Sequence, residues 1–137
     1  MLITLNVVPV AKGRAKTHFI NGQAITYTPK TTRHAQDEII SLIQQYREAV
    51  TFEANVPIKL TVVFYRLKSI WLKGSQKKET MPVRKPDLDN FIKLLLDSIN
   101  TILIKDDSQI TSIDAKKSYS KTGSAYIQFE LSEDKDD

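Results

Sequence analysis

Five carboxylates fall between Asp87 and Asp107, at Asp87, Asp89, Asp97, Asp106 and Asp107, within the stretch KPDLDNFIKLLLDSIN and the KDDSQI that soon follows. Repelling carboxylates cost free energy unless a positive charge lies among them. Pro86 biases Lys85 toward an extended conformation. An extended path through Asp89 points Asp87 and Asp89 to one side, with their Cα atoms about 7 Å apart. Two carboxylates so placed can converge on one small cation. One of them also stands where a helix N-cap belongs, but capping accounts for a single Asp. Lys93, four residues after Asp89, either joins an exposed ion-pair stripe or holds a phosphate oxygen as a point charge. Asp97 lies one turn further along and reads as structural. Asp106 and Asp107 sit at a chain reversal, where neighbours face opposite ways, so one of the two is expected to join the cluster.

An all-oxygen donor set suits a hard cation. Mg²⁺ prefers oxygen, keeps several waters and often shares its shell with phosphate. The chain has no cysteine, and its two histidines, His18 and His34, stand far from the acids and at no metal-binding spacing. A zinc site is therefore not expected. No Ser-His-Asp or Cys-His set and no glycine-rich phosphate loop is visible. With Mg²⁺ among the carboxylates, a phosphoryl oxygen is polarised and the pKa of a bound water falls, which yields a nucleophile. Lys93 stabilises the charge that develops on the phosphate or leaving group. Phosphodiester hydrolysis is the reaction this set would serve.

The elements that must position these residues are written in the periodicities. MLITLNVV reads as a strand, followed by the basic loop PVAKGRAKTH. HFINGQAITYT reads as a hairpin turning at Asn21-Gly22. From about Pro29 the pattern is helical, with Ala35, Ile39, Leu42, Ile43, Tyr46 and Val50 on one face and Thr31 or Thr32 as the cap. Residues 56–65 alternate, with Ile58, Leu60, Val62 and Phe64 on one side of a strand. Residues 66–85 hold seven basic residues and one acid and read as a long functional or mobile loop. Ile70 and Trp71 within it would anchor to the core, a partner or a base. A second helix starts near Leu88, with Phe91, Leu94, Leu95, Ile99 and Ile102 as its apolar stripe. ITSIDAKKSY and AYIQFEL are the last strands, the second with Ala125, Ile127, Phe129 and Leu131 on one face. This order predicts an α+β fold, a mixed β-sheet with two helices packed on one face. It assigns residues 1–131 to one domain and 132–137 to a frayed acidic tail.

The 137 residues carry a net charge of +4 that hides an asymmetry. Residues 1–85 hold 14 Lys and Arg against 5 Asp and Glu, and residues 86–137 hold 6 against 11. An anionic substrate would be repelled by the acids alone, so the basic part must attract it, as a polyanion-binding surface does. No apolar run approaches the roughly 18 residues of a membrane span. The N-terminus lacks a basic start before its apolar residues and reads as a strand, not a signal peptide. The lack of cysteine fits a reducing cytosol, and the expected location is cytoplasmic.

The acidic motif closely resembles the central motif of the RusA-type Holliday junction resolvases, small endonucleases of bacteria and prophages. That family shows D-x-D-N, a Lys three residues after the Asn, an apolar helix containing an Asp, then D-D-x-Q and an aliphatic residue. Here these stand as Asp87, Asp89, Asn90, Lys93, Asp97, Asp106, Asp107, Gln109 and Ile110. Lys12–Arg14 and Tyr27–Pro29 resemble the basic N-terminal segment of many relatives, with Lys16 where a second Arg is common. The resemblance implies catalytic, metal-binding carboxylates at Asp87, Asp89 and Asp107, a catalytic Lys93, and Asp106 as a further ligand. It implies Mg²⁺, with Mn²⁺ able to substitute, no small-molecule cofactor, and a homodimer that nicks four-way junction DNA symmetrically in recombination and repair. Expected DNA contacts are Lys12, Arg14, Lys16, Lys73, Lys77, Lys78, Arg84 and Lys85, with the 66–85 segment touching DNA or the partner subunit. Two other readings stand beside this one: a non-catalytic DNA-binding module whose acids only cap helices, and a sugar-nucleotide enzyme using D-x-D as a metal clamp.

Overall fold

The computed structural model describes residues 1–13, 16–27, 29–69 and 72–135, with only the backbone of Lys16 and Tyr27. Arg14, Ile70 and Trp71 therefore lie outside the described residues. The elements are β1 (Leu2–Leu5), β2 (Lys16–Ile20), β3 (Gln23–Tyr27), α1 (Lys30–Ile43), β4 (Ile58–Arg66), α2 (Leu88–Ile99), β5 (Ile110–Tyr119) and β6 (Tyr126–Glu133). This is the order expected from the sequence. Strands β1, β6, β4 and β5 lie side by side in one sheet, while β2 and β3 form a separate hairpin. The sheet is mixed, since β4 runs parallel to β5 and antiparallel to β6, and β1 is antiparallel to β6.

Alternation explains the burial. Ile58, Leu60, Val62 and Phe64 of β4 and Ile127, Phe129 and Leu131 of β6 share one buried face. Ala35, Ile39 and Ile43 of α1 and Phe91, Leu94, Leu95 and Ile99 of α2 join the same core. Both helices thus cover one face of the sheet. The other face keeps half-buried polar and aromatic residues, including Tyr65 stacked on Tyr126 at 4.3 Å between ring centroids.

Three local expectations change. Helix α1 is capped by neither Thr31 nor Thr32. Pro29 stands at its N-cap, and Thr32 lies inside the helix, buried, where its Oγ1 accepts a hydrogen bond from the Gly13 amide at 2.9 Å. A Cβ on Gly13 would meet that Oγ1 at 2.8 Å, so only glycine lets the incoming loop lie this close. The helix also ends at Ile43. A 3₁₀ turn (Gln44–Tyr46) follows, and Tyr46 and Val50 still pack against the core from beyond the helix. At the other end of the chain, β6 runs to Glu133, and the Asp134 amide bonds to the Pro57 carbonyl at 2.8 Å. The acidic tail is therefore tied down through Asp134, where fraying was expected from residue 132. Asp136 and Asp137 lie outside the described residues.

For function, the decisive element is the crossover. Strands β4 and β5 are parallel neighbours, and α2 carries the chain back between them. Among the described residues no helix is long and apolar enough to cross a membrane.

Candidate active site

The first acids sit at the start of α2. Helical residues begin at Leu88, with Asp87 at the N-cap (φ −71°, ψ 147°) and Asp89 in the first turn. The extended path expected through Asp89 therefore stops at Asp87. Asp87 occupies the capping position, yet its side chain caps nothing. Its carboxylate turns to Lys85 Nζ at 3.0 Å. Asp89 faces Lys93 Nζ at 3.7 Å, one turn on. Both pairs are well exposed, with the Lys85 side chain 86% accessible. Such pairs contribute about 0–1 kcal/mol each and exchange partners readily.

The approach to Asp87 is built by cations that grip backbone oxygens. Lys117 Nζ donates to the Arg84 and Pro86 carbonyls at 3.0 and 3.1 Å, and Arg66 Nη1 donates to the Lys85 carbonyl at 3.0 Å. Arg84 pairs with Glu79 at 2.9 Å, and Lys68 Nζ donates to the Glu79 carbonyl at 2.8 Å. The basic 66–85 segment is thus folded back on itself, with a 3₁₀ turn at Gly74–Lys78. Lys73, Lys77 and Lys78 remain exposed. Nothing in the spacing of Lys117 or Arg66 announced their part. Each is a strand residue far in sequence from the acids, and only the register of β4 with β5 brings them beside residues 84–86.

Lys12 also proves to belong here. Its amide donates to the Asn90 carbonyl at 3.1 Å, and its Nζ meets Asp97 at 2.7 Å. The first basic loop is thereby laid along the exposed side of α2, beside Asp89, Lys93 and Asp97. Lys16's side chain is outside what the structure describes.

The second acid group sits at the other end of α2. Asp106 accepts from the Ser108 amide at 3.2 Å and so caps the short 3₁₀ turn of Asp107–Gln109. That bond, above all, lowers its pKa below the usual carboxylate value. Asp107 is exposed, and its amide donates to Asn100 Oδ1 at 3.0 Å. Its pKa is raised, first by a hydrogen bond in which Asp107 keeps the proton it shares with Asp106, then by desolvation and the negative charges of Asp106 and Asp97. Gln109 fixes this turn. It is buried, accepts from the Lys105 and Asp106 amides at 3.0 and 3.1 Å, and donates to the Glu53 and Val56 carbonyls at 2.8 and 3.0 Å. Capping thus accounts for Asp106 and fails for Asp87.

The two groups do not meet within one chain. Helix α2 has 12 residues, and at 1.5 Å per residue its ends stand about 18 Å apart. The sheet gives the same answer. Lys117, at the Asp87 end, lies opposite Phe64 of β4, while Ile110, beside Asp107, lies opposite Ile58. Six strand residues separate those levels, about 20 Å. Among the described residues, no three His, Asp or Glu side chains gather closely enough to hold one metal ion. The donor types suit a hard divalent ion, and the crowding of Asp107 by Asp106 and Asp97 marks a place where positive charge would relieve repulsion. A single chain does not assemble Asp87, Asp89 and Asp107 around one ion, as the sequence had suggested.

Comparison with known proteins decides the family. The model of the family described as Endodeoxyribonuclease RusA matches residues 6–130. The chain belongs to the RusA family. Its reaction class is accordingly that of a Holliday junction resolvase, an endodeoxyribonuclease. RusA-type nucleases generally depend on a divalent metal. A Bacillus subtilis (strain 168) relative, uncharacterized protein YqaN, is 28% identical over 120 residues, covering 82% of this chain and 83% of that protein. The crossover junction endodeoxyribonuclease rusA of Lactococcus phage r1t is 39% identical over 67 residues, 48% of each chain. Asp87, Asp89, Asp97, Asp106 and Asp107 all fall within the matched RusA span.

Proposed function

We propose that this chain is a Mg²⁺-dependent Holliday junction resolvase that acts as a homodimer in the cytoplasm, in recombination and repair, nicking two strands of a four-way junction symmetrically. Mn²⁺ is expected to replace Mg²⁺. The phage-encoded relative supports a prophage origin. The observation that carries the catalytic reading is the behaviour of Asp87: it holds the N-cap of α2 without capping, and is left exposed beside Lys85.

In this reading Asp87 and Asp89 form one half of an ion site and Asp107 the other. The 18 Å span of α2 makes each half incomplete in its own chain. A two-fold dimer reconciles this, because an isologous contact can set the start of one α2 beside the end of the other. Asp87 and Asp89 would then face the partner subunit's Asp107. A bound divalent ion supplies polarisation of the scissile phosphate and a lowered pKa for the attacking water. Lys85 and Lys93 exchange their exposed carboxylate partners for DNA, and Lys93 Nζ stabilises charge on the phosphate oxygens. Asp106, committed to the Ser108 amide, orients Asp107 and shares its proton. Lys12, Lys73, Lys77, Lys78, Arg84 and Lys85, with Arg14 and Lys16, supply the positive surface that attracts DNA.

The test is junction cleavage with labelled four-way DNA and Mg²⁺. Asp89→Asn and Asp107→Asn should each abolish cutting. Mixing and reassociating the two inactive variants should restore single nicks, since one of the two composite sites in a mixed dimer is then intact. Continued cutting by either variant alone rejects the site residues, and two inactive variants that stay inactive when mixed reject the shared site.

A further inference from the structure

The hairpin of β2 and β3 stands apart from the body. Its turn is the tight one expected, with Asn21 and Gly22 both at positive φ (51° and 77°). Its strands pair with each other from Lys16↔Tyr27 to Ile20↔Gln23 and, among the described residues, with no other strand. It also makes no extensive packing with any other element among the described residues. An isolated two-stranded hairpin is marginal in water. This one nonetheless presents apolar side chains to solvent: Phe19 is 78% exposed, Ile20 54% and Ile25 45%. Phe19 is thus exposed more than any other large apolar residue in the described protein.

Two observations say what should cover it. First, charge: no Asp or Glu occurs before Asp37, while Lys12, Arg14, Lys16, Lys30 and Arg33 do. An apolar tip on a stem without a single acid complements a polyanion, not an average protein surface. Second, position: the stem is pinned where Lys12 N meets the Asn90 carbonyl and Gly13 N meets Thr32 Oγ1. The arm therefore rises from the side of α2 that carries Asp89, Lys93 and Asp97. Five strand residues reach about 17 Å, enough to pass from a cut phosphate to neighbouring bases.

We infer that the hairpin is a DNA arm whose tip residue Phe19 stacks on a base at the crossover of the four-way junction. This rests on the junction-cutting reading above. Apolar side chains inserted between bases are a general way to hold bent or unstacked DNA. A base in continuous duplex is already stacked on both faces, whereas the point of strand exchange breaks the stack. A stacking contact there would therefore favour junction over duplex, which phosphate contacts alone do not.

The experiment is binding in EDTA, where no cutting occurs, to a four-way junction with 2-aminopurine beside the crossover and to a duplex of equal length. Phe19→Ala should weaken junction binding by about fivefold to about a hundredfold, the range for loss of one stacked base. It should leave duplex binding unchanged and reduce the rise in 2-aminopurine emission. Phe19→Trp, which keeps an aromatic face, should keep junction affinity. Phe19 is largely exposed, and matching urea midpoints should confirm that the variants fold. If the wild type prefers the junction and Phe19→Ala keeps that preference, the arm inference is overturned alone. Equal losses on junction and duplex overturn it too, as would conversion of a dimer to monomers by Phe19→Ala, which would assign the tip to a second copy. A wild type with no junction preference removes the functional reading and the arm together.

Discussion

Replacing Gln109 by Glu tests whether the turn before β5 is built as the structure shows. The side chain is 7% exposed and works at both ends, with Oε1 accepting from two amides and Nε2 donating to two carbonyls. Glutamate keeps the shape and the two accepted bonds. It loses both donated bonds and sets a carboxylate oxygen against the Glu53 and Val56 carbonyls. The part-buried Val56 carbonyl loses this donor, while the Glu53 carbonyl keeps the Val56 amide at 3.2 Å, a loss of about 1–3 kcal/mol. Stronger charge-assisted bonds to the Lys105 and Asp106 amides return about 1 kcal/mol. With the repulsion between the carboxylate and the two carbonyl oxygens added, the net loss at neutral pH should be about 1–3 kcal/mol.

The sign with pH is definite. Burial and the facing carbonyls raise the folded pKa of the new carboxyl above its unfolded value near 4.3. Its penalty is therefore present above the folded pKa and shrinks as pH falls through it, when the acid regains one O–H donor. Urea unfolding of the wild type, Gln109→Glu and Gln109→Met at pH 8 and pH 5 measures this. The gap between wild type and Gln109→Glu should narrow at pH 5, and the gap for Gln109→Met should not. A Gln109→Glu protein within about 0.5 kcal/mol of wild type at both pH values, the usual spread of surface substitutions, would refute the reasoning. Junction cutting should fall as well, because the same turn places Asp107.

Three further outcomes follow from the site. Lys93→Ala should leave junction affinity in EDTA nearly unchanged and slow cutting by on the order of a hundredfold to a thousandfold; a parallel loss of affinity and rate would make Lys93 a binding residue. Lys77→Glu with Lys78→Glu should weaken DNA binding and flatten the plot of log affinity against log salt by about two units, one for each lost phosphate contact, and unchanged affinity would place these exposed lysines away from DNA. Asp107 holds its proton to higher pH than an ordinary carboxyl, chiefly through its hydrogen bond to Asp106, so if it ligates the ion, Mn²⁺ binding should weaken early as pH falls. Asp106→Asn removes a neighbouring negative charge and should move that fall to lower pH, as calorimetry at several pH values would show.

The fold was legible where a period was strong. Ile58, Leu60, Val62 and Phe64 announce β4 because alternate residues must share a face, and Asn21-Gly22 announces its hairpin because both residues tolerate positive φ. The end of α1 was not legible. Tyr46 and Val50 keep helical spacing and still reach the core, so periodicity alone cannot tell that the backbone has left the helix at Ile43. Thr31 and Thr32 both suit a cap, because hydroxyls favour helix starts. The Thr32 hydroxyl instead serves Gly13, nineteen residues away, and no local pattern carries that. The parts of Lys117 and Arg66 have no local signature either, since their partners are backbone oxygens chosen by strand register.

The acids show a deeper limit. Asp87, Asp89, Lys93 and Asp107 form one compact motif in sequence, and compactness in sequence invites the picture of compactness in space. The intervening apolar stripe argues against it. A stripe that makes α2 a helix also fixes its length, and a 12-residue helix holds its two ends about 18 Å apart. Because β4 and β5 are parallel, α2 must run the full height of the sheet, so neither a kink nor a tight loop can fold Asp107 back onto Asp87. The distance was therefore implicit in the letters once the helix was assigned. If the motif acts as one site, the closing half has to come from outside the chain, and the symmetry of the substrate gives a physical reason for that half to be a second copy. Two such sites would form only in the assembled dimer. Free subunits would then be unable to cut, and a nuclease that cannot act until paired would deliver its two nicks together.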